Sequence, residues 1–252
     1  MDFQPVILAA GKGTRMGDHN VPKVLIPAHD KPIISYLLDE LKTVPGLSKP
    51  VIVVGYKHAD VVKALGNDYA YAFQRQQLGT GHAVMAAEKQ VTAEHIIVLY
   101  GDVPFVKGAS IKKLMRLHNE QSDSISMFTT HVPNYEGVYA NFSHFGRIVR
   151  DKYENVKAIV EYKDATEEQR LITEINPGIY AFNTQWLWDN IHHIQKNNVQ
   201  GEYYLTDMVA LAIEQEKVVK TLPINYKEII GINTPEQLKI AERIIAKKNQ
   251  SI

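Results

Sequence analysis

Residues 6–27, VILAAGKGTRMGDHNVPKVLIP, decide how the rest of the chain is read. Val6-Ile7-Leu8-Ala9 is a short apolar run with β-branched residues, the pattern of a strand buried on both faces. Ala10, Gly11 and Gly13 follow at once. Small residues there let backbone N–H groups approach a ligand and form a concave anion site. Lys12, Arg15 and Lys23 set three cations on or beside the loop, against one nearby acid, Asp18. A glycine loop after a buried strand, crowded with cations, points to phosphate. It is not a Walker A loop, because no Gly-Lys-Ser/Thr is present. It is not the dinucleotide fingerprint, because Gly17 falls one place late and Pro22 and Pro27 break helix nearby. A surface turn with solvated charges remains open on glycine and charge alone.

The full string LAAGKGTRMG followed by PKVL resembles the signature of the sugar-nucleotide pyrophosphorylases, nucleotidyltransferases that join a nucleoside triphosphate to a sugar 1-phosphate. The resemblance implies that Leu8, Ala9, Ala10, Gly11 and Gly13 wrap the nucleotide. It also implies that Arg15 and Lys23 contact phosphates as catalytic groups.

The chain has 252 residues, enough for one large α/β domain. Lys+Arg and Asp+Glu both number 28, so no global basic field argues for nucleic acid and no polybasic segment for a membrane surface. With no cysteine, disulfides, thiolate metal sites and cysteine catalysis are excluded. The N-terminus runs from Met1 into the first strand, with no apolar signal or membrane span, so the expectation is a soluble, cytoplasmic protein.

Along the chain, a helix is expected from Ile33 to about Thr43, opened by Lys31-Pro32, with Ile33, Tyr36, Leu37 and Leu41 on one face. Strands are expected at Val51–Gly55, Tyr69–Phe73 and Ile96–Tyr100, with helices over 57–65 and 81–90 between them. This short-interval alternation points to a parallel, helix-covered sheet. In the second half a helix over 109–120 precedes strands at Ser124–Thr130, Arg147–Arg150, Val156–Glu161, Glu174–Phe182 and Val218–Leu222. Residues 134–146 read as a loop or small subsheet. Helices are expected over 184–195 and 206–216, and a last one runs from a Thr234 cap to about Lys248. The fold class is therefore α/β, a Rossmann-like mixed, mainly parallel sheet flanked by helices with a small β-rich part.

Gln74-Arg75-Gln76-Gln77-Leu78-Gly79-Thr80-Gly81-His82-Ala83 joins a strand to a helix. A side-chain amide there can present a donor and an acceptor to a base edge. QLGTGHA resembles the branch of the family that transfers uridylyl groups to N-acetylglucosamine 1-phosphate, which implies that Gln74, Gly79 and Thr80 hold uracil. Gln76 and Gln77 read as solvated loop and His82 as helix-start structure.

An Asp at the carboxyl end of a buried strand, as in LYGDVP (99–104), sits where α/β sheets bind ligands, and carboxylate oxygens suit Mg²⁺. A lone Asp after Gly also reads as a turn residue. The resemblance assigns Asp102 to Mg²⁺ and Tyr100 to the nucleotide or sugar side. Scattered positions carry the match further. Gly146 in FGRIVRD, Glu161 in IVEYKDA and Asn176 in EINPGIY fall to sugar binding, and Asn233 in GIN to the second metal contact. GEYYLTD (201–207) matches without obvious chemistry, and the expectation is that it positions the sugar or supports the site wall. Asp30, Phe145 and Pro177 depart from the family pattern, which has glycine, tyrosine and threonine there. Pro177 has neither hydroxyl nor N–H to offer a sugar.

The expected function is Mg²⁺-dependent transfer of UMP from UTP to N-acetylglucosamine 1-phosphate. Alternatives are another sugar 1-phosphate or nucleotide, a non-catalytic sugar-nucleotide sensor and, more distantly, a dehydrogenase-type dinucleotide binder. Residues 1–252 read as one nucleotidyltransferase domain, with a nucleotide half to about 120, a sugar half over about 121–233 and a final helix over 234–252. Many members of the resembled family continue into a left-handed β-helix that acetylates glucosamine 1-phosphate. This chain stops at Ile252 without hexapeptide repeats, so no acetyltransferase domain and no trimer built by it are expected, and oligomeric state is open.

Overall fold

The computed structural model describes residues 2–17, 20–119 and 125–249. Asp18 and Ser124 lie outside them. The strands, in chain order, are β1 (Phe3–Ala9), β2 (Pro27–Ala28), β3 (Lys31–Pro32), β4 (Val51–Val54), β5 (Ala70–Phe73), β6 (His95–Tyr100), β7 (Ile125–His131), β8 (Gly146–Arg150), β9 (Val156–Val160), β10 (Glu174–Asn176), β11 (Tyr180–Asn183) and β12 (Val219–Pro223). The helices are α1 (Ile33–Lys42), α2 (His58–Leu65), α3 (Thr80–Met85), α4 (Gly108–Asn119), α5 (Glu167–Arg170), α6 (Thr184–Ile191), α7 (Asp207–Glu214) and α8 (Pro235–Asn249). No helix among the described residues is long and apolar enough to cross a membrane.

The central sheet is mixed and mainly parallel. Strands β5, β4, β1 and β6 are parallel neighbours, and β7 and β12 pair in parallel further along. Strand β11 alone runs against them, between β6 and β7. The far half of β7 leaves β11 and pairs with β10, which leads through β8 to β9 in an all-antiparallel subsheet.

Strand β1 shows why the sequence folds this way. Phe3, Ile7 and Ala9 enter the core beneath α1 and α4, while Val6 and Leu8 enter the one beneath α3, α6 and α7. Both faces are covered, so the apolar run needs no polar alternation. Gln4, 3 % exposed, is accommodated because its amide donates to Lys49 O at 2.8 Å and accepts from Thr92 N at 2.8 Å. A third, smaller core joins Met16, Ile26 and Ile33 to Ile232, Ala241 and Ile245, clamping the glycine loop to α8.

Several expectations are corrected. Glu174–Phe182 is two strands, because Gly178 at φ +79° turns the chain between β10 and β11. The helix expected over 81–90 stops at Met85, and a 3₁₀ turn covers Glu88–Gln90. Lys31-Pro32 pairs with Pro27–Ala28 before α1 begins, and Ile34 and Leu38, rather than Tyr36, complete the buried stripe of α1. Helix α6 ends at Ile191, short of residue 195, and residues 137–142 form a 3₁₀ helix. Helix α5 lies in a stretch given no element from sequence, closed by a Thr166–Gln169 capping box.

Candidate active site

At the carboxyl ends of β1 and β6, the place where open α/β sheets bind ligands, two cavities meet. The first, about 240 Å³, is walled by Leu8, Ala9, Ala10, Gly11, Gln74, Gly79 and Thr80, with Lys23 at its edge. The second, about 380 Å³, is walled by Arg15, Gly146, Glu161, Asn176 and Asn233. Thr80, Tyr100 and Asp102 line both. The expected site residues thus come together, with one exception. Gly13 does not face either cavity. It supports Lys23 from behind: at φ +65° a Cβ there would lie 2.7 Å from Lys23 Cβ.

On the shared border, Lys23 Nζ donates to Asp102 Oδ2 at 2.5 Å and to Asn233 Oδ1 at 2.7 Å. Three remote segments make this cluster. The loop after β1 turns into a 3₁₀ helix at Lys23–Leu25. Gly101 N donates to Leu8 O at 3.0 Å, fixing the turn that carries Asp102. Ile232 N then donates to Asp102 O at 2.9 Å, which docks residue 233 beside it. One carboxylate and one amide oxygen converge on a cation, a donor set that suits Mg²⁺, which takes few protein ligands and completes its shell with water and phosphate. Arg15 is exposed and makes no hydrogen bond or ion pair among the described residues.

In the first cavity Gln74 is 4 % exposed. Its Nε2 donates to Gly79 O at 3.1 Å and to His82 Nδ1 at 3.0 Å, which leaves Oε1 as its free acceptor. Burial lowers the pKa of His82, which suits a neutral ring whose Nδ1 accepts. His82 is therefore structural, as expected, but its role is to orient Gln74. Gln77 is exposed in its loop, as expected, yet it lines the cavity and its Nε2 reaches Ala10 O at 3.5 Å.

The second cavity is built by side-chain bonds. Asn176 donates to Tyr180 OH at 2.6 Å and accepts from Gly178 N at 2.9 Å. Glu161 accepts from Thr206 Oγ1 at 3.2 Å, and burial raises its pKa, with Asp164, Asp207 and Glu202 adding to the rise. GEYYLTD now has a structural account. Gly81 N donates to Tyr203 O at 2.8 Å, Tyr203 N to Leu78 O at 2.8 Å, and Leu205 N to Thr80 Oγ1 at 3.1 Å. The segment braces the glycine turn of the first cavity and holds Glu161 in the second. Tyr180 was missed from sequence, since nothing local marks it as a cavity residue, whereas Glu202 and Thr206 fall inside the GEYYLTD stretch singled out there.

Fold and site define a nucleotide-binding α/β enzyme of the group-transfer kind. Residues 5–174 match the MobA-like NTP transferase domain. The chain belongs to that family of nucleotidyltransferases. It is 40 % identical over 242 residues to the bifunctional protein GlmU of Caldicellulosiruptor saccharolyticus, covering 94 % of this chain and 50 % of the relative. With the GlmU of Clostridioides difficile the identity is 39 % over 251 residues, covering 98 % and 52 %. The chain thus spans about half the length of these curated relatives. Among solved structures it is similar to a putative glucose-1-phosphate thymidylyltransferase from Bacillus anthracis (TM-score 0.75, 20 % identity, covering 96 % of this chain and 94 % of that one). A UDP-glucose pyrophosphorylase complexed with UDP-glucose is similar too (TM-score 0.73, 20 % identity, covering 98 % and 100 %).

Proposed function

We propose that this chain transfers UMP from UTP to N-acetylglucosamine 1-phosphate and releases pyrophosphate. The observation that carries the reading is the Lys23–Asp102–Asn233 cluster on the border between two joined cavities. A reaction that joins two phosphorylated substrates needs that arrangement. The nucleotide occupies the first cavity. Gln74 Oε1 accepts from a base that carries a ring N–H, as uracil does and cytosine does not. The GlmU relatives favour N-acetylglucosamine 1-phosphate in the second cavity, against Glu161 and Asn176.

A phosphate oxygen of the sugar 1-phosphate forms the new bond to the α-phosphorus. The bond from that phosphorus to the β-phosphate oxygen breaks, and pyrophosphate takes its electron pair. A phosphate monoester is already a competent nucleophile, so the protein's work is positioning and charge compensation. Lys23 steadies the α-phosphate, Arg15 the departing pyrophosphate, and the Ala10–Gly11 backbone the triphosphate. Asp102 and Asn233 would hold Mg²⁺, which supplies positive charge at the phosphate oxygens. One domain does this, with residues to about 120 on the nucleotide side and 121–233 on the sugar side.

Pro177, on the wall of the second cavity, favours a second reading in which the acceptor is a different sugar 1-phosphate. Pyrophosphate release from UTP with Mg²⁺, compared across N-acetylglucosamine, glucose and other sugar 1-phosphates, decides. Fast release with the N-acetylated sugar alone upholds the proposal, and preference for another sugar moves the specificity. UDP-sugar binding without release from any acceptor makes the protein a sensor.

A further inference from the structure

Arg147 is 1 % exposed, and among the described residues no carboxylate pairs with it. A buried, unpaired guanidinium is costly, and an apolar side chain would fill the same space more cheaply. Burial pulls its pKa down. All three of its nitrogens donate to main-chain carbonyls. Nη2 reaches Ser143 O at 2.8 Å and Arg170 O at 3.1 Å, Nε reaches Arg170 O at 3.2 Å, and Nη1 binds Phe145 O. Its Cζ lies 4.4 Å from the centre of the Tyr135 ring and 5.5 Å from that of Tyr162.

These partners are the back of the second cavity. Ser143 and Phe145 flank His144, and His144, Phe145 and Gly146 all line that cavity. Tyr162 directly follows Glu161, and Arg170 holds it from the other side, with Nε donating to Tyr162 O at 3.3 Å and the guanidinium 4.8 Å from its ring. One guanidinium therefore ties together the two segments, 143–146 and 161–162, that shape the acceptor side. Nothing it touches lines the first cavity alone.

We propose that Arg147 is a positioning residue for the acceptor: it sets affinity for the sugar phosphate through these two segments and leaves nucleotide binding untouched. The inference rests on the sugar-side reading of the second cavity. Arg147→Lys keeps the charge but loses the planar fork. The expected result is a rise of about tenfold in KM for the sugar 1-phosphate, with KM for UTP and kcat changed less than about twofold. Hydrogen exchange should quicken over 140–147 and 160–164, with 6–17 and 74–82 unchanged. Equal rises in both KM values, or unchanged exchange at both sugar-side segments, overturns the proposal. If the wild-type protein turns over no sugar phosphate, the proposed reaction fails there, and the exchange pattern alone decides on Arg147. If Arg147→Lys does not fold, Arg170→Ala, at the half-buried edge of the same stack, should show the same pattern at about threefold, and its absence overturns the proposal.

Discussion

The two cavities that share Asp102 are built by opposite means. The proposed nucleotide-side cavity is lined largely by two short contiguous stretches of small residues, Leu8–Gly11 at the end of β1 and Gly79–Thr80 at the start of α3, which leave backbone at the cavity face. The acceptor-side cavity is mostly side chain: Glu161, Asn176, Tyr180 and Thr206 come from separate stretches and hold one another by hydrogen bonds. A backbone cradle tolerates change around it, because its shape is set by strand register and glycine conformation. A side-chain cradle fails one residue at a time. It is also where a protein of this architecture can change specificity without disturbing its phosphate chemistry.

The border should give the largest effect, because both cavities depend on it. Asp102→Ala is expected to lower kcat by about 10³-fold with the circular-dichroism spectrum unchanged. Lys23 then keeps only Asn233 Oδ1 as a partner at this site. Metal-dependent turnover surviving at the wild-type level would move the reaction centre away from the border and dissolve the comparison.

Next, Gln74→Met removes the side chain proposed to read the base while preserving its volume. KM for UTP should rise about 10-fold, with KM for the sugar phosphate unchanged. The pH dependence has a definite sign. His82 must stay neutral at Nδ1 to accept from Gln74, and burial already lowers its pKa. Nucleotide KM should be flat above the ordinary histidine value and climb only as pH falls through the lowered one. In the Gln74→Met variant that climb should vanish. A climb that persists assigns the titration to another group.

The same contrast explains what the sequence revealed. The nucleotide side was legible because LAAGKGTRMG and QLGTGHA are contiguous: loop, glycine and ligand contact fall within one window. Asp102 stood at a strand end where a turn reading was also open, and only the resemblance of LYGDVP singled it out. The acceptor side was legible only residue by residue through resemblance, and the groups that hold it were not. Tyr180 and Arg147 read only as strand residues and Thr206 as helix start, because their meaning lies in partners up to 45 positions away. The break between β10 and β11 did carry a local signal. Pro177-Gly178 is a turn pair, and the apolar run around it masked it. Gln77 carried no signal, since its reach to Ala10 spans 67 positions.

Two glycines test the backbone-versus-side-chain distinction at smaller amplitude. At Gly178, φ is +79° and a Cβ would lie 2.7 Å from Tyr100 Cε2, so Gly178→Ala should destabilise the fold by about 1–3 kcal/mol. At Gly11 nothing lies within 4 Å of an added Cβ. Gly11→Ala should therefore leave Tm unchanged and weaken UTP binding, because the methyl group intrudes on the loop's face to phosphate. Chemical denaturation of both variants, with UTP titration of the second, checks the pair. Equal losses of stability would mean that the two walls do not differ in how they are built.

The smallest effect separates the halves by how they treat acids. On α1, burial alone would raise the pKa of Asp39, but bonds from Lys31 and Lys42 outweigh it and the pKa is lowered. On α7, Asp207 has no such partner among the described residues: burial, then Asp164, pushes it up to about 6, even at a helix N-terminus that favours negative charge. The signs therefore oppose. A raised folded-state pKa means that the folded protein binds the proton more tightly, so ionising Asp207 costs stability as pH rises from its unfolded value through about 6. Asp207→Asn removes that cost, and because the site is only half buried the gain in Tm at pH 8 should be about 2 °C. The gain should shrink as pH falls and vanish only well below the ordinary carboxyl value of 3.8, where the group is protonated in both states. Asp39→Asn should do the reverse, losing a little stability at neutral pH and none once the acid is protonated. If both variants shift Tm the same way at pH 8, the acids of the two halves are not managed differently, and the acceptor side carries no stored electrostatic strain at α7.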